Sequence, residues 1–181
     1  MATIYYTGCT LDGFIATDDH SLDWLTSRDI DMDGPMAYPS FREQVGACVM
    51  GATTWQWILD HDDDPWGPLP TWVLTHRTFP DAPPSVRFDR DDVRRVHAEM
   101  TEAADGKDLW VVGGGELVGQ FHDAGLLDEL IVQVGSVTLG SGRPLLPRRI
   151  AFPPMTLTAV RKIGPGFAEL RYDLPQSHAT P

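Results

Sequence analysis

Three consecutive glycines, Gly113, Gly114 and Gly115, join an apolar run of strand length to a segment with helical periodicity. Glycine lets a backbone approach a ligand closely. The unpaired N–H groups at the start of a helix favour a phosphate or pyrophosphate. The sequence therefore predicts a nucleotide-binding turn here. It is not a standard dinucleotide fingerprint, because the last glycine of G-x-G-x-x-G is missing and the turn occurs late in the chain.

Three other segments place chemically useful groups near the ends of predicted strands. Gly51 ends one strand, and Thr53 can cap the helix that follows it. Another strand is followed by His76 and Arg77, whose guanidinium group suits a phosphate monoester. Residues 10–16 read Thr-Leu-Asp-Gly-Phe-Ile-Ala and form a turn that could cover a flat ring. Taken singly, these segments also fit an ordinary helix start, a solvated loop arginine and a simple first turn.

The order of the predicted elements brings these segments to one edge of a sheet. We predict strands over 3–9, 47–51, 71–75, 86–88, 109–113, 129–137, 155–163 and 167–173, and helices over 38–45, 53–59, 91–104 and 116–124. This order predicts a three-layer α/β/α fold whose sheet of about eight strands is mostly parallel, with an antiparallel C-terminal edge. Ligands of such sheets bind at the carboxyl ends of the strands. We therefore expect Gly8, Gly51, Thr75 and Gly113 along one edge.

The composition narrows the classes of protein to consider. A chain of 181 residues predicts a single domain over residues 1–175, followed by a polar tail over 176–181. A net charge of −12 argues against a nucleic-acid partner, since phosphate backbones need basic surfaces. There is no apolar run of the ~20 residues that span a membrane and no signal peptide, so we expect a cytoplasmic protein. Cys9 and Cys48 then read as buried thiols rather than a disulfide, and no metal site is predicted.

In order and spacing, these segments resemble the dihydrofolate-reductase-like superfamily. They are most similar to the branch that contains the C-terminal reductase domain of bifunctional riboflavin-biosynthesis proteins. The resemblance spans Ile4 to Asp173. Its motifs are residues 10–16, which resemble S-L-D-G-F-I-A with Thr for Ser; residues 21–25, Ser-Leu-Asp-Trp-Leu; residues 49–55, which resemble M-G-R-x-T-[WY]; the glycine turn at 112–115; and residues 139–145, Leu-Gly-Ser-Gly-Arg-Pro-Leu.

The resemblance implies a reductase that uses NADPH to transfer a hydride to a small heterocyclic or sugar-linked C=N or C=O compound, similar to a pterin or a riboflavin precursor. It also implies a cis peptide bond within the glycine turn and a homodimer. The implied cofactor contacts fall into four groups: a nicotinamide border, a first helix start, an adenosine end with its 2′-phosphate, and the glycine turn. In that order they are Gly8, Ile15 and Ala16; Gly51, Ala52, Thr53 and Thr54; Thr75, His76 and Arg77; and Gly113, Gly114, Gly115, Glu116 and Leu117.

One departure from the family pattern concerns charge. Ala52 stands where the family usually has a basic residue, which leaves Arg77 to supply the positive charge.

Trp24 is a candidate for contacting the substrate. The candidate catalytic acids are Asp23 and Asp29, the latter at a distance past Trp24 comparable to that of the carboxylate that anchors the pterin in folate reductases.

The sequence is also compatible with two alternative functions. One is a dihydrofolate reductase, and the other is a non-catalytic nucleotide-binding protein of the same fold. The apolar residues between Leu126 and Val134 further suggest a surface that joins two subunits.

Overall fold

The computed structural model describes residues 1–28, 38–61, 67–80, 82–90 and 92–175. Its strands are β1 (Thr3–Thr10), β2 (Phe14–Ala16), β3 (Val45–Gly51), β4 (Thr71–Leu74), β5 (Val86–Asp89), β6 (Asp108–Gly113), β7 (Glu129–Gly135), β8 (Arg143–Pro144), β9 (Thr156–Ile163) and β10 (Phe167–Asp173). Its helices are α1 (Asp23–Thr26), α2 (Tyr38–Gln44), α3 (Ala52–His61), α4 (Val93–Ala103) and α5 (Gly115–Asp123).

Eight strands form the central sheet, in the order β5-β4-β3-β6-β1-β7-β10-β9. Every neighbouring pair from β5 to β7 is parallel, whereas β10 runs antiparallel to both β7 and β9. The predicted mostly parallel sheet with an antiparallel C-terminal edge is therefore confirmed. Within the described residues, no helix is long and apolar enough to cross a membrane.

The core has two halves, one on each face of the sheet, because successive strand residues point to opposite faces. On one face α4 and α5 cover a cluster that includes Tyr5 and Val111. On the other face α2 and α3 cover a cluster that includes Tyr6 and Trp110. The strands buried on both faces read as continuous apolar runs, which is why the sequence identified them.

The structure adds three short elements that the sequence analysis did not predict. Strands β2 and β8 pair with each other and form a separate two-stranded sheet. Helix α1 has only four residues, which is too short for helical periodicity to appear in the sequence. Helix α4 begins at Val93 rather than at residue 91, because the carboxylate of Asp92 accepts hydrogen bonds from two backbone N–H groups of the first turn.

The apolar stretch from Leu126 to Val134 does not form a subunit surface. Leu130, Ile131 and Val132 lie in β7, in the interior of the sheet, and are nearly inaccessible to solvent. That prediction was wrong, because an apolar run in a strand covered on both faces belongs to the core of a single chain.

Candidate functional site

Two helix starts face one crevice at the carboxyl edge of the sheet. Strands β3 and β6 are neighbours. α3 follows β3 directly, and a single residue, Gly114, separates the end of β6 from the start of α5. A Cβ atom added to Gly51 would lie 3.9 Å from the carbonyl oxygen of Gly113, so the two strand ends are close. A cavity of about 310 Å³ opens here, lined by Gly51, Leu74, Thr75, His76, Arg90, Leu117 and Gln120. The crevice thus combines free backbone N–H groups with a positive side chain, a combination that suits an anionic ligand.

The glycine turn is fixed by close contacts with residues 139–145, which we call the late loop. The peptide bond between Gly113 and Gly114 is cis, as the resemblance implied, and Gly113 has a φ of +132°. A Cβ atom added to Gly115 would lie 2.6 Å from the carbonyl oxygen of Leu145 and closer still to that of Pro144. Only glycine fits at the first position of α5, so the late loop determines where this helix start points.

One wall of the crevice is built from the strand ends β4 and β5. The backbone N–H of Thr75 donates to the carbonyl oxygen of Asp89, and the Thr75 hydroxyl accepts from the backbone N–H of Arg77 at 2.8 Å. Arg90 follows β5 directly and lines the cavity. The exposed Arg77 is not among the residues that line it within the described chain.

Arg90 was not among the residues predicted from the sequence. The same rule that pointed to Thr75 would have found it, because β5 lies parallel to β4 and ends at the same edge.

The first turn of α3 contains the predicted phosphate contacts Ala52, Thr53 and Thr54, all of them partly exposed. Ala52 contributes only a methyl group where a cation was expected from the family pattern. The arginine that lines the same cavity is Arg90, at the end of β5.

The carboxylate of Glu116 is paired with an arginine side chain. The guanidinium of Arg148 donates to both oxygens of Glu116, at 2.7 and 2.9 Å, and also to Asp123 at 2.8 Å. This hydrogen bonding holds the pKa of Glu116 below its ordinary value. Arg148 occupies the space beside Gly119, where a Cβ atom would collide with the guanidinium group. Only the backbone of Glu116 is then suited to meet a phosphate.

The other side of the glycine turn contacts residues 11–22, between β1 and α1, which we call the first loop. A Cβ atom added to Gly114 would lie 3.8 Å from Cδ1 of Ile15. The indole N–H of Trp24 donates to the carbonyl oxygen of Ile15 at 3.3 Å. Gly8 lies under α1, the helix that carries Trp24, since a Cβ atom added to Gly8 would contact Leu25 at 3.2 Å and Trp24 at 3.6 Å. Ile15, Trp24 and Gly8 thus border one region next to the glycine turn.

Asp12 ties the first loop to the late loop. Its carboxylate accepts from the backbone N–H groups of Leu139, at 3.0 Å, and Gly140, at 2.7 Å, and from the Thr10 hydroxyl at 2.5 Å. These hydrogen bonds, with that from Thr10 the strongest, lower the pKa of Asp12. Together with the β2–β8 pairing, they hold Ile15 against the glycine turn.

The sheet face beneath α1 carries a buried polar group that the sequence patterns did not indicate. The side-chain amide of Gln133 donates to the hydroxyl of Tyr6 at 2.7 Å. Glu169 is buried beside them and pairs with the Arg171 guanidinium at 2.9 Å. Burial raises the pKa of Tyr6. Single polar residues within apolar strands give no periodic signal, so sequence reasoning had no means to single them out.

Of the two candidate catalytic acids, Asp23 lies among the described residues. Asp23 is exposed at the first position of α1, beside Trp24. Asp29 lies outside the described residues. Ala16 is buried and packs against Gly142, where a Cβ atom would collide with the Ala16 carbonyl oxygen.

The chain matches a protein family, a related sequence and a solved structure of the same fold. Residues 3–168 match the family described as the RibD C-terminal domain. The chain is 31% identical over 144 residues to the uncharacterized protein YwjB of Bacillus subtilis (strain 168), covering 79% of this chain and 81% of that protein. A putative riboflavin biosynthesis protein from Shewanella sp. PV-4 has the same fold, with a TM-score of 0.82 at 23% identity over 97% of this chain and 99% of that one.

A dihydrofolate reductase from Enterococcus faecalis, complexed with NADP(H) and RAB-propyl, also shares the fold. Its TM-score is 0.63 at 16% identity, over 96% of both chains. The architecture described above is therefore that of the dihydrofolate-reductase-like fold.

Proposed function

Because this chain belongs to the family of RibD C-terminal domains, which supports a reductase-type function, we propose that it is an NADPH-dependent reductase. Its substrate is a small heterocyclic or sugar-linked compound with a reducible C=N or C=O group. The observation that supports this most is the shared crevice, in which the starts of α3 and α5 and the side chain of Arg90 converge. A pyridine dinucleotide phosphate offers anionic groups to match all three.

Four sets of residues would hold the cofactor. The backbone of Gly51 through Thr54 and of Gly113 through Leu117 would meet the pyrophosphate. Thr75, His76 and Arg90, with Arg77 farther out, would meet the adenosine end and its 2′-phosphate. Gly8, Ile15 and Ala16 would border the nicotinamide, which supplies the hydride when NADPH is bound.

The chain's own residues contribute mainly by position. Ile15, held by the Trp24 and Asp12 hydrogen bonds, would fix the face of the ring and exclude water from it. Trp24 would contact the substrate. The proton that completes the reduction would come from solvent or from a carboxylic acid, for which Asp23 and Asp29 are the candidates.

We also propose that the protein is a homodimer that associates through its C-terminal edge. Among the described strands, β9 is the last of the sheet and has one hydrogen-bonded neighbour, β10. Leu157 and Val160 of β9 are 52% and 61% exposed, and Phe152 just before it is 94% exposed. Exposed apolar side chains grouped at a sheet edge are typical of a surface that another chain covers.

A binding titration followed by a turnover assay tests the proposed reductase. Added NADPH should change the protein's tryptophan fluorescence in a saturable way. The bound cofactor should then be oxidised when pteridine or pyrimidine compounds are added, which is measured as a loss of the absorbance of the reduced nicotinamide. Binding without turnover on any substrate would favour the non-catalytic alternative. Turnover of dihydrofolate would instead indicate a folate reductase.

A further inference from the structure

The cavity wall at the end of β5 contains an acidic residue next to its arginine. The backbone N–H of Arg90 donates to the Asp89 carboxylate at 2.7 Å, and the backbone N–H of Thr75 donates to the Asp89 carbonyl oxygen, also at 2.7 Å. Thr75 and Arg90 both line the cavity. Asp89 therefore joins two cavity-lining residues, and its negative charge lies one residue away from the guanidinium group that would meet a phosphate.

A carboxylate in this position affects which nucleotide the cavity can accept. At the end of a strand in a parallel sheet, a carboxylate accepts a hydrogen bond from the 2′-hydroxyl of an adenosine ribose, whereas an arginine accommodates a 2′-phosphate. A free carboxylate also repels the phosphate. Asp89 and Arg90 thus favour different ligands, and the outcome depends on what the Asp89 carboxylate contacts.

The Asp89 carboxylate is paired with a side chain of α4. Nη2 of Arg95 donates to Oδ2 of Asp89, whose side chain is 12% exposed. Asp92 caps α4 and accepts from the backbone N–H of Arg95 at 3.2 Å, which fixes where the arginine begins. A positive charge in the first turn of a helix is unfavourable for the helix dipole, so the favourable contribution of Arg95 comes from its ion pairs.

A second carboxylate holds the guanidinium of Arg95 in this orientation. Nη1 of Arg95 donates to Oε1 of Glu99, one turn later in α4, at 2.9 Å. Oε2 of Glu99 accepts from the indole N–H of the buried Trp72 at 3.0 Å. That hydrogen bond is the main cause that lowers the pKa of Glu99, so Glu99 stays ionised. Arg95 is therefore anchored to the core although its own side chain is 53% exposed.

We propose that Arg95 determines a preference for nucleotides that carry a phosphate at the ribose 2′ position, and that it acts as a positioning residue through Asp89. By pairing with the carboxylate, Arg95 neutralises the charge that would repel the phosphate. It also occupies an oxygen that would otherwise accept from a 2′-hydroxyl. The guanidinium of Arg90 is then left to bind the phosphate. This inference rests on the proposed function, because it concerns how the same site selects its cofactor.

Two nucleotides that lack the nicotinamide test the inference. Adenosine 2′,5′-bisphosphate carries the 2′-phosphate, and adenosine 5′-monophosphate has a hydroxyl group there. The wild-type protein should bind the bisphosphate at least ~ten-fold more tightly, the effect of a charge-assisted hydrogen bond. Arg95→Gln should bring the two affinities to within ~three-fold of each other, because the exposed charge of Asp89 then opposes the phosphate. Calorimetry at low ionic strength measures the affinities, since salt screens exposed charges.

A double variant separates neutralisation of Asp89 from a merely structural role of Arg95. In Asp89→Asn combined with Arg95→Gln, the negative charge is absent, while the side-chain oxygen can still accept from the backbone N–H of Arg90. The preference for the bisphosphate should therefore return. Arg94→Gln is the matched control, because Arg94 is an exposed arginine in the same turn of α4. It should keep the wild-type preference.

Several results would overturn the inference. These are absence of binding of the bisphosphate, equal affinity of the wild type for both nucleotides, a preference that persists in Arg95→Gln, an equal loss in Arg94→Gln, and a double variant that does not regain the preference. The wild-type comparison can overturn the inference even if a variant fails to fold. A protein that binds the bisphosphate but does not oxidise NADPH would end the reductase proposal, whereas the nucleotide comparison would still decide the role of Arg95.

Discussion

The positive charge in the crevice lies on Arg90, although the sequence pattern pointed to Arg77. Arg90 lines the cavity at the end of β5, whereas Arg77 is exposed beyond the end of β4. Ala52 supplies no charge at the start of α3. A guanidinium group is suited to a phosphate monoester because it can donate two parallel hydrogen bonds. Arg90 is thus the residue on which a preference for NADPH over NADH should depend most.

Replacing each arginine separately tests this assignment. Arg90→Ala should weaken NADPH binding by about 1–3 kcal/mol, the range for a lost charge-assisted hydrogen bond, and leave NADH binding nearly unchanged. Arg77→Ala should have a smaller effect. Fluorescence titrations of both cofactors measure these differences. A larger loss in Arg77→Ala than in Arg90→Ala would return the 2′-phosphate to Arg77, and equal losses for both cofactors would remove Arg90 from that role.

The contrast between Gly113 and Gln133 shows what the sequence could and could not predict about the site. Glycines at strand ends are visible in the sequence, because their conformational and packing roles are local. Gln133 acquires its buried hydrogen-bond partners only through register, which brings Tyr6 and Glu169 to it from strands far away along the chain. Arg90 is intermediate: its position after a strand was visible, but β5 is short and its neighbours include several other charged residues.

At the scale of elements, the glycine turn depends on the late loop that packs against it. Gly115→Ala should destabilise the fold by about 1–3 kcal/mol, the usual cost of overpacking, because the added methyl group meets the backbone carbonyl oxygens of Pro144 and Leu145. Backbone atoms cannot move aside as a flexible side chain can. Urea denaturation measures the change in the free energy of unfolding.

Gly51→Ala is the matched control for that measurement. The nearest atom to its added methyl group is the Gly113 carbonyl oxygen at 3.9 Å, an ordinary contact distance. Its free energy of unfolding should therefore stay within ~0.5 kcal/mol of the wild type. Equal destabilisation of both variants would mean that the late loop does not determine the position of α5.

The Asp12 link between the two loops should depend on pH in a defined direction. Its hydrogen bonds lower the pKa of the carboxyl group, so they stabilise the linked loops at neutral pH and are lost only when the pH falls through that lowered pKa. The amide resonances of Leu139 and Gly140 should accordingly stay constant from pH 7 down to the ordinary Asp range, about 4, and shift below it.

Asp12→Ala should remove that titration. The same two amides should then exchange with solvent faster at pH 7, because they lose their acceptor. Thr17→Ala in the same loop is a control, because the Thr17 side chain has no hydrogen bond with the late loop among the described residues. A titration of Leu139 and Gly140 centred near or above the ordinary Asp value in the wild type would contradict the link.

At the scale of the whole molecule, the sheet was predictable but its small additions were not. Strands such as β3 and β6 are covered by helices on both faces, so their apolar runs identify them without knowledge of their partners. β2 and β8 have three and two residues and exist only because the first and late loops meet. The same difference in burial explains the error over residues 126–134, since an apolar run alone does not distinguish a core strand from a contact surface.

The exposed apolar side chains of β9, at the C-terminal edge of the sheet, allow a test of the proposed dimer. A bulge in β9, where Thr158 is the extra residue, pairs Val160 with Leu170 and Leu157 with Tyr172, which places Leu157 and Val160 on one face of the sheet. The wild-type protein should therefore have about twice its 20.0 kDa mass in solution by light scattering. Leu157→Lys combined with Val160→Lys should give a folded monomer, because two charges cannot be buried there without partners.

Leu59→Lys serves as the control for that experiment. Leu59 is also an exposed apolar residue, but it lies on α3 and away from the C-terminal edge. Its replacement should leave the mass unchanged. A wild-type protein that remains at 20.0 kDa at micromolar concentrations would contradict the dimer. A dimer that survives the double lysine variant would place the contact on another surface, because β9 cannot pack against a second chain with both lysines buried in the interface.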